Sequence, residues 1–91
     1  MDSTTVIMMA LRAGRALLDL SQGELAALAG VSRQIVVRIE RCESNVLAES
    51  LTKVRSALES AGVVFVEAAA DRGPGVALAR PVARGEVDDI Q

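Results

Sequence analysis

Histidine, tryptophan and tyrosine are absent from this chain, and cysteine and phenylalanine occur once each. A single cysteine excludes an intrachain disulfide, and without histidine an ordinary zinc site cannot be assembled. The same absences remove the usual general base and the usual partner of a cysteine nucleophile, and the sequence contains no glycine-rich phosphate loop. We therefore expect no enzyme, no catalytic residue, no metal and no cofactor.

A targeting or membrane-spanning segment is also missing from the start of the sequence. Residues 1–15, MDSTTVIMMALRAGR, lack a basic signal-peptide start and become charged too soon to span a bilayer. We therefore expect a cytoplasmic protein without membrane contact.

Because aromatic residues are so scarce, the core has to be built from aliphatic side chains. Apolar residues make up 51% of the 91 residues, which suits one small domain, and an aliphatic core is typical of a small helical bundle. The net charge is −2, but residues 1–62 hold seven acidic and seven basic residues, whereas residues 63–91 hold five and three. The acidic excess therefore lies in the C-terminal third.

Ser21–Arg41, SQGELAALAGVSRQIVVRIER, is the most informative stretch. Ser21 and Glu24 have the spacing of a capping box at the start of a helix. Gly30 falls where a helix end favours positive φ, and Ser32 is the next candidate N-cap. The stretch therefore predicts two short helices joined by a tight turn.

The second of these helices has two distinct faces. At about 100° per residue, Val36 and Ile39 point inward. The outer face carries amide, methyl and guanidinium groups from Gln34, Val37, Arg38 and Arg41. Such groups match the major groove, where arginine reads guanine, glutamine reads adenine and an apolar group meets the thymine methyl. Arg33 is expected near the groove edge.

At these residues the sequence resembles the Cro/C1-type (XRE-like) helix-turn-helix regulators, over roughly Ala10 to Leu58. The resemblance rests on SQGELAALAGVSRQ, VRIER and LTKVRSAL. It implies a mainly α fold, in which a four-helix, lambda-repressor-like domain carries a helix-turn-helix.

The resemblance also implies residue roles. Gln22 would contact a phosphate, Arg33, Gln34 and Arg38 would face bases, and Arg15 would pair with Glu40. Asn45 is interpreted as a turn residue or a phosphate contact. The full set of predicted DNA-binding residues is Ser21, Gln22, Ser32, Arg33, Gln34, Val37, Arg38, Arg41 and Asn45.

Two positions depart from the family pattern. Cys42 stands where the family usually has glycine, and Val46 stands where it often has proline, so the loop after the second helix is expected to differ. Cys42 is interpreted as a small loop residue rather than a reactive thiol.

Two further helices complete the predicted domain at residues 1–62. The first begins at a cap formed by Ser3 or Thr4 and runs to about Asp19. Its apolar band is broad enough for a central place in the bundle, with a dimer contact by Ile7 and Met8 as the alternative. Another helix is predicted from Ala48 to Ser60.

Residues 63–80 change in character. Val63–Val66 is β-branched and aromatic, and a second short strand at 76–80 follows a turn rich in glycine and proline. A short C-terminal β-hairpin is therefore predicted, and it loosely resembles the end of some short bacterial regulators of this family. We expect it to form a dimer interface through Val63, Val64, Phe65, Val66, Val76 and Leu78. The alternative is that it folds back on the first and fourth helices of its own chain.

Residues 81–91 are polar and acidic, and are predicted to be a mobile tail. Taken together, the sequence predicts a transcriptional regulator, most simply a repressor, that binds the major groove of double-stranded DNA. It would act as a homodimer on a pseudo-palindromic operator. One alternative is an antitoxin or protein-interaction module that binds a protein partner through the C-terminal segment. Another is an adaptor that has lost DNA binding, in line with a pI of about 5.0.

Overall fold

The computed structural model of the chain describes residues 2–80, so the predicted tail at 81–91 lies outside the described residues. The fold is mainly helical with a C-terminal two-stranded hairpin, as predicted. Its elements are α1 (Ser3–Leu17), α2 (Gln22–Ala29), α3 (Arg33–Glu40), α4 (Ala48–Ser60), β1 (Val63–Val66) and β2 (Gly75–Leu78).

α1 is capped by a residue that the sequence reasoning overlooked. The Asp2 carboxylate accepts a hydrogen bond from the Thr5 N–H at 2.8 Å. The prediction of a Ser3 or Thr4 cap was therefore wrong, because both residues lie inside the first turn. The helix ends at Leu17 rather than at Asp19, which adopts a left-handed φ of 56°.

The core is aliphatic and α1 runs through it. Its buried side chains are those of Met8, Leu11, Leu25, Ala26, Val36, Ile39, Val54, Leu58 and Val63. Among residues 2–80, no polar or charged residue is buried. The prediction that α1 is central is confirmed, and since Met8 lies inside the core, it is not available for the alternative dimer contact.

α1 approaches α4 and the hairpin most closely at Gly14. A Cβ at this glycine would lie 3.3 Å from Leu58 Cδ1 and 3.4 Å from Val63 Cγ1. A larger side chain would push these buried residues away. Gly14 therefore sets how closely the hairpin can pack on the helices.

The two strands pair antiparallel, with Val63 opposite Leu78 and Phe65 opposite Val76. β2 spans Gly75–Leu78 rather than the predicted 76–80, and the Ala79 N–H adds a hydrogen bond to the Gly62 carbonyl at 2.7 Å. The hairpin contacts α1 and α4 of its own chain.

This packing divides the six residues expected at the dimer interface into two groups. Val63 is buried, and Phe65 and Val76 are half-buried against the core. Val64, Val66 and Leu78 remain 46%, 36% and 47% exposed. The first three residues are therefore engaged within the chain, as the alternative had it, and only the last three remain accessible to a second copy.

Candidate nucleic-acid interface

The turn between α2 and α3 is built from the residues that predicted it. Ser21 Oγ accepts from the Glu24 N–H at 3.0 Å, and Glu24 Oε1 accepts from the Ser21 N–H at 2.8 Å, which completes the capping box. Gly30 takes a left-handed φ of 73°. Ser32 Oγ then accepts from the Ile35 N–H at 3.2 Å and starts α3. The relative position of the two helices is thereby fixed by the local backbone.

The face that α3 turns outward is the one predicted. Val36 and Ile39 are 1% exposed and anchor the helix to the core. Arg33, Gln34 and Arg41 are exposed on the other side, and Val37 and Arg38 are half-buried beside them. Five of the predicted DNA-binding residues are thus brought together on one helix and its cap.

Arg15 of α1 and Glu40 of α3 form the predicted ion pair. Arg15 Nε donates to Glu40 Oε2 at 2.6 Å and Arg15 Nη2 donates to Oε1 at 2.8 Å, while Nη1 reaches the Leu20 carbonyl at 2.7 Å. Their side chains are 21% and 7% exposed. This two-pronged contact ties α3 to α1.

Glu40 keeps its charge despite its surroundings. Burial opposes the ionised form, but hydrogen bonds from Arg15 and Gln22 and the charges of Arg15 and Arg12 outweigh it, so the pKa of Glu40 lies below its ordinary value. Gln22 Nε2 donates to Glu40 Oε1 at 3.1 Å, and Gln22 Oε1 accepts from Arg33 Nη2 at 3.4 Å. Gln22 therefore connects the ion pair to the start of α3.

A polar concavity of about 460 Å³ lies between α1, α2 and α3. It is lined by Arg12, Arg15, Gln22, Arg33, Gln34, Val37, Glu40 and Arg41. Four guanidinium groups and one carboxylate leave three net positive charges. Such a surface attracts phosphate oxygens, although the whole chain carries a net charge of −2.

A family model for helix-turn-helix domains of the Cro/C1 type matches residues 11–61, which is more than half of the chain. This chain belongs to the Cro/C1-type helix-turn-helix family. The family is one of DNA-binding regulators and not of enzymes, so the protein is a helix-turn-helix DNA-binding regulator in general terms. A comparison with curated proteins gives no match.

Arg12 is not among the DNA-binding residues predicted from the sequence. The structure places it in the wall of the basic concavity. The available signal was its spacing of one turn from Arg15, which places both residues on the same side of α1.

The loop after the helix-turn-helix contains an unexpected side-chain cluster. Arg38 Nε donates to Glu43 Oε1 at 3.1 Å, and Arg38 Nη2 donates to Asn45 Oδ1. Asn45 was predicted to be a turn residue or a phosphate contact, and its side-chain oxygen accepts this hydrogen bond from Arg38. No short-range pattern in the sequence pointed to the contact between Glu43 and Arg38.

The backbone of Cys42 turns the chain at the start of the loop after α3. It adopts a left-handed φ of 56°, the conformation for which the family's usual glycine is suited. Its side chain is half-buried against the core. Cys42 therefore adopts a backbone conformation that glycine adopts more readily.

The helix-turn-helix caps Ser21 and Ser32 are exposed, and each hydroxyl oxygen accepts a backbone N–H. Each hydroxyl proton can still be donated to a phosphate. Across residues 2–80, no group of three or more potential metal ligands is found. No helix in that range is long and apolar enough to cross a membrane.

Proposed function

We propose that this helix-turn-helix protein is a sequence-specific transcriptional repressor that binds a pseudo-palindromic operator as a homodimer. The observation that carries the proposal is the outer face of α3, where Arg33, Gln34 and Arg38 lie beside a concavity with three net positive charges. The same proposal places the protein in the cytoplasm of a bacterial cell, the setting that the family resemblance implies.

The proposed division of labour follows the chemistry of the side chains. Arg33 and Arg38 are suited to guanine O6 and N7, Gln34 to adenine N6 and N7, and Val37 to a thymine methyl. Phosphates would be contacted at the edges of this face, by Gln22 and Arg41 and by the hydroxyls of the helix caps. Base contacts would then select the sequence, and phosphate contacts would fix the position of α3 in the groove.

A homodimer is proposed because one α3 covers only a few base pairs. Val64 and Val66 lie on the outer face of the hairpin and offer an apolar surface for a second copy, and Leu78, opposite the buried Val63, is exposed at the end of the inner face. Repression needs no further surface, because a bound dimer excludes other proteins from the same DNA.

The test is affinity for DNA as a function of salt concentration, measured by fluorescence anisotropy on a fixed duplex. We expect the logarithm of the association constant to fall linearly with the logarithm of the salt concentration. Arg12→Gln and Arg41→Gln should each reduce the slope by about one and weaken all sequences about equally.

Lys53→Gln is the matched control. It also removes one positive charge, but Lys53 lies on α4, where it pairs with Glu49 at 3.2 Å, away from the concavity. An equal effect of Lys53→Gln and Arg41→Gln would contradict the proposed face. An absence of salt-dependent binding to DNA would favour the adaptor alternative.

A second candidate function, the antitoxin or protein-interaction module, is favoured by the same exposed hairpin residues. Val64, Val66 and Leu78 can be covered by a different protein as well as by a second copy. A toxin gene beside this gene, whose product forms a stoichiometric complex with this chain, would support it. Loss of that complex in Val64→Asp would place the contact on the hairpin.

A further inference from the structure

We propose that Glu43 and Asn45 are positioning residues that hold the Arg38 guanidinium ready to read a guanine. The inference rests on the proposed function, and it assigns a role in base specificity to two residues of the loop after α3. Neither residue needs to touch a base for this role.

The argument starts from which edge of the guanidinium is occupied. Nε and Nη2 form its side edge, and each gives one N–H, to Glu43 Oε1 at 3.1 Å and to Asn45 Oδ1 respectively. Both N–H groups of Nη1 and one of Nη2 remain, and among residues 2–80 no acceptor for them is found. One N–H of Nη1 and the remaining N–H of Nη2 form the end edge, which can engage guanine O6 and N7 together.

The backbone of the loop after α3 is also hydrogen-bonded to α3, which holds the two acceptors, Glu43 and Asn45, close to Arg38. The Glu43 N–H donates to the Arg38 carbonyl at 3.1 Å, and the Cys42 N–H donates to the Ile39 carbonyl at 2.9 Å. The left-handed φ of Cys42 turns the chain back toward the helix between these bonds. Backbone and side chain of Glu43 thus both engage Arg38.

Such a restraint favours specificity over general affinity. A free arginine loses rotamer freedom when it binds a base, whereas a held one has already lost it. Glu43 also offsets the charge of Arg38, so this arginine is less attracted to phosphates in general. The carboxylate is 38% exposed near the proposed DNA face and would itself repel phosphates.

The test compares binding-site profiles from a random DNA pool for the full chain and its variants. Arg38→Ala first identifies the base pair that Arg38 reads. Glu43→Ala and Asn45→Ala should each reduce guanine preference at that base pair by roughly three- to tenfold, part of the discrimination that a bidentate contact provides. The other base positions should keep their preference.

Two further variants separate positioning from a merely structural role. Glu43→Gln keeps a side-chain oxygen as acceptor and should restore part of the guanine preference. Glu59→Ala is the matched control, because Glu59 also accepts from an arginine Nε, that of Arg55 at 3.4 Å, but on α4. Its profile should equal that of the unmodified protein. Thermal melting of each variant establishes that it is folded. If Glu43→Ala does not fold, Asn45→Ala alone tests the positioning role.

The outcomes are distinct. If the unmodified protein enriches a site and both alanine variants keep its guanine preference, the positioning role is wrong while the proposed function stands. If the alanine variants lose preference equally at every base position, the positioning role is likewise wrong, and Glu43 and Asn45 only stabilise the loop. If the unmodified protein enriches no site, the proposed function fails and this inference fails with it.

Discussion

At the scale of single residues, Glu40 combines a structural and an electrostatic task. It is the last residue of α3, pairs with Arg15 and receives a further hydrogen bond from Gln22. A carboxylate that is 7% exposed has little water to replace a lost partner. The pair therefore connects the stability of the fold to the position of α3.

The first prediction concerns this pair. Arg15→Ala leaves the Glu40 carboxylate poorly solvated, so it should lower the free energy of unfolding by about 1–3 kcal/mol, and by more than removal of both side chains does. A double-mutant cycle by urea unfolding measures the coupling. Additive effects of Arg15→Ala and Glu40→Ala would show that the two side chains do not interact.

The second prediction is a pH dependence. The pKa of Glu40 is lower in the folded chain than in the unfolded one, so its ionised form adds stability above about pH 4.3, the ordinary pKa of glutamic acid. That contribution is lost as the pH falls through the lower, folded pKa. The difference in unfolding free energy between the unmodified protein and Glu40→Gln should therefore narrow between about pH 6 and pH 3. A constant difference would mean that Glu40 contributes no such stability.

At the scale of elements, two glycines in helices show opposite constraints. Gly23 lies in α2, and a Cβ there would come no closer than 3.9 Å to its nearest neighbour, Ser21 Oγ. Gly14 lies in α1 against Leu58 and Val63, which are both buried, so a methyl group there would have to displace them by a few tenths of an ångström. Gly23 has room for a methyl group without such a displacement.

The third prediction follows from this contrast. Gly23→Ala should raise the free energy of unfolding by about 0.5–1 kcal/mol, because alanine is the better helix former. Gly14→Ala gains the same propensity but overpacks the contact with the hairpin, and should lower stability by about 1 kcal/mol. Chemical unfolding of both variants tests this. Equal stabilisation by both would show that the hairpin gives way easily.

The helices and strands differ in how well they could be predicted from short stretches of the sequence. α2 and α3 were predictable because their serine caps and Gly30 are encoded within a few residues of each other. α4 has no side-chain cap and was predictable from its helical periodicity. The cap of α1 was not, because Asp2, Ser3 and Thr4 are all competent caps and only the structure selects among them. The inner face of β1 was also hidden, since Val63–Val66 is apolar at every position and gives no alternation.

The candidate site divides in the same way. The outer face of α3 follows from helix geometry and could be predicted from the sequence. The cluster of Arg38, Glu43 and Asn45 depends on the path of a loop whose sequence departs from the family at Cys42. The one-turn spacing of Arg12 from Arg15 indicates that both lie on the same side of α1, but what that side faces depends on how α1 crosses α3.

At the scale of the whole molecule, the hairpin both closes the core and exposes an apolar edge. Because Val63 is part of the core, a chain that ends at Gly62 would lose core packing as well as any dimer contact. Truncation is therefore a poor test of dimerisation. Substitutions on the exposed side of the hairpin leave the core intact and are better suited.

The fourth prediction uses such a substitution. Val64→Asp places a charge on the proposed dimer surface and should convert a dimer to a monomer in sedimentation, with helical circular dichroism retained. Leu47→Asp is the control, because Leu47 is even more exposed but lies before α4, outside the hairpin. A Val64→Asp protein that still sediments as a dimer would place the interface elsewhere.

Selection of bound sequences from a random pool of double-stranded DNA tests the central claim, that α3 reads bases within a two-fold symmetric site. The unmodified protein should enrich a pseudo-palindrome whose half-site centres are about one helical turn, roughly 34–36 Å, or a multiple of it apart. Arg38→Ala should cost about 1–3 kcal/mol and lose preference at one base pair in each half-site. Gln22→Ala should instead weaken all sequences about equally. A pool without an enriched site, or identical profiles for Arg38→Ala and Gln22→Ala, would contradict base reading by α3.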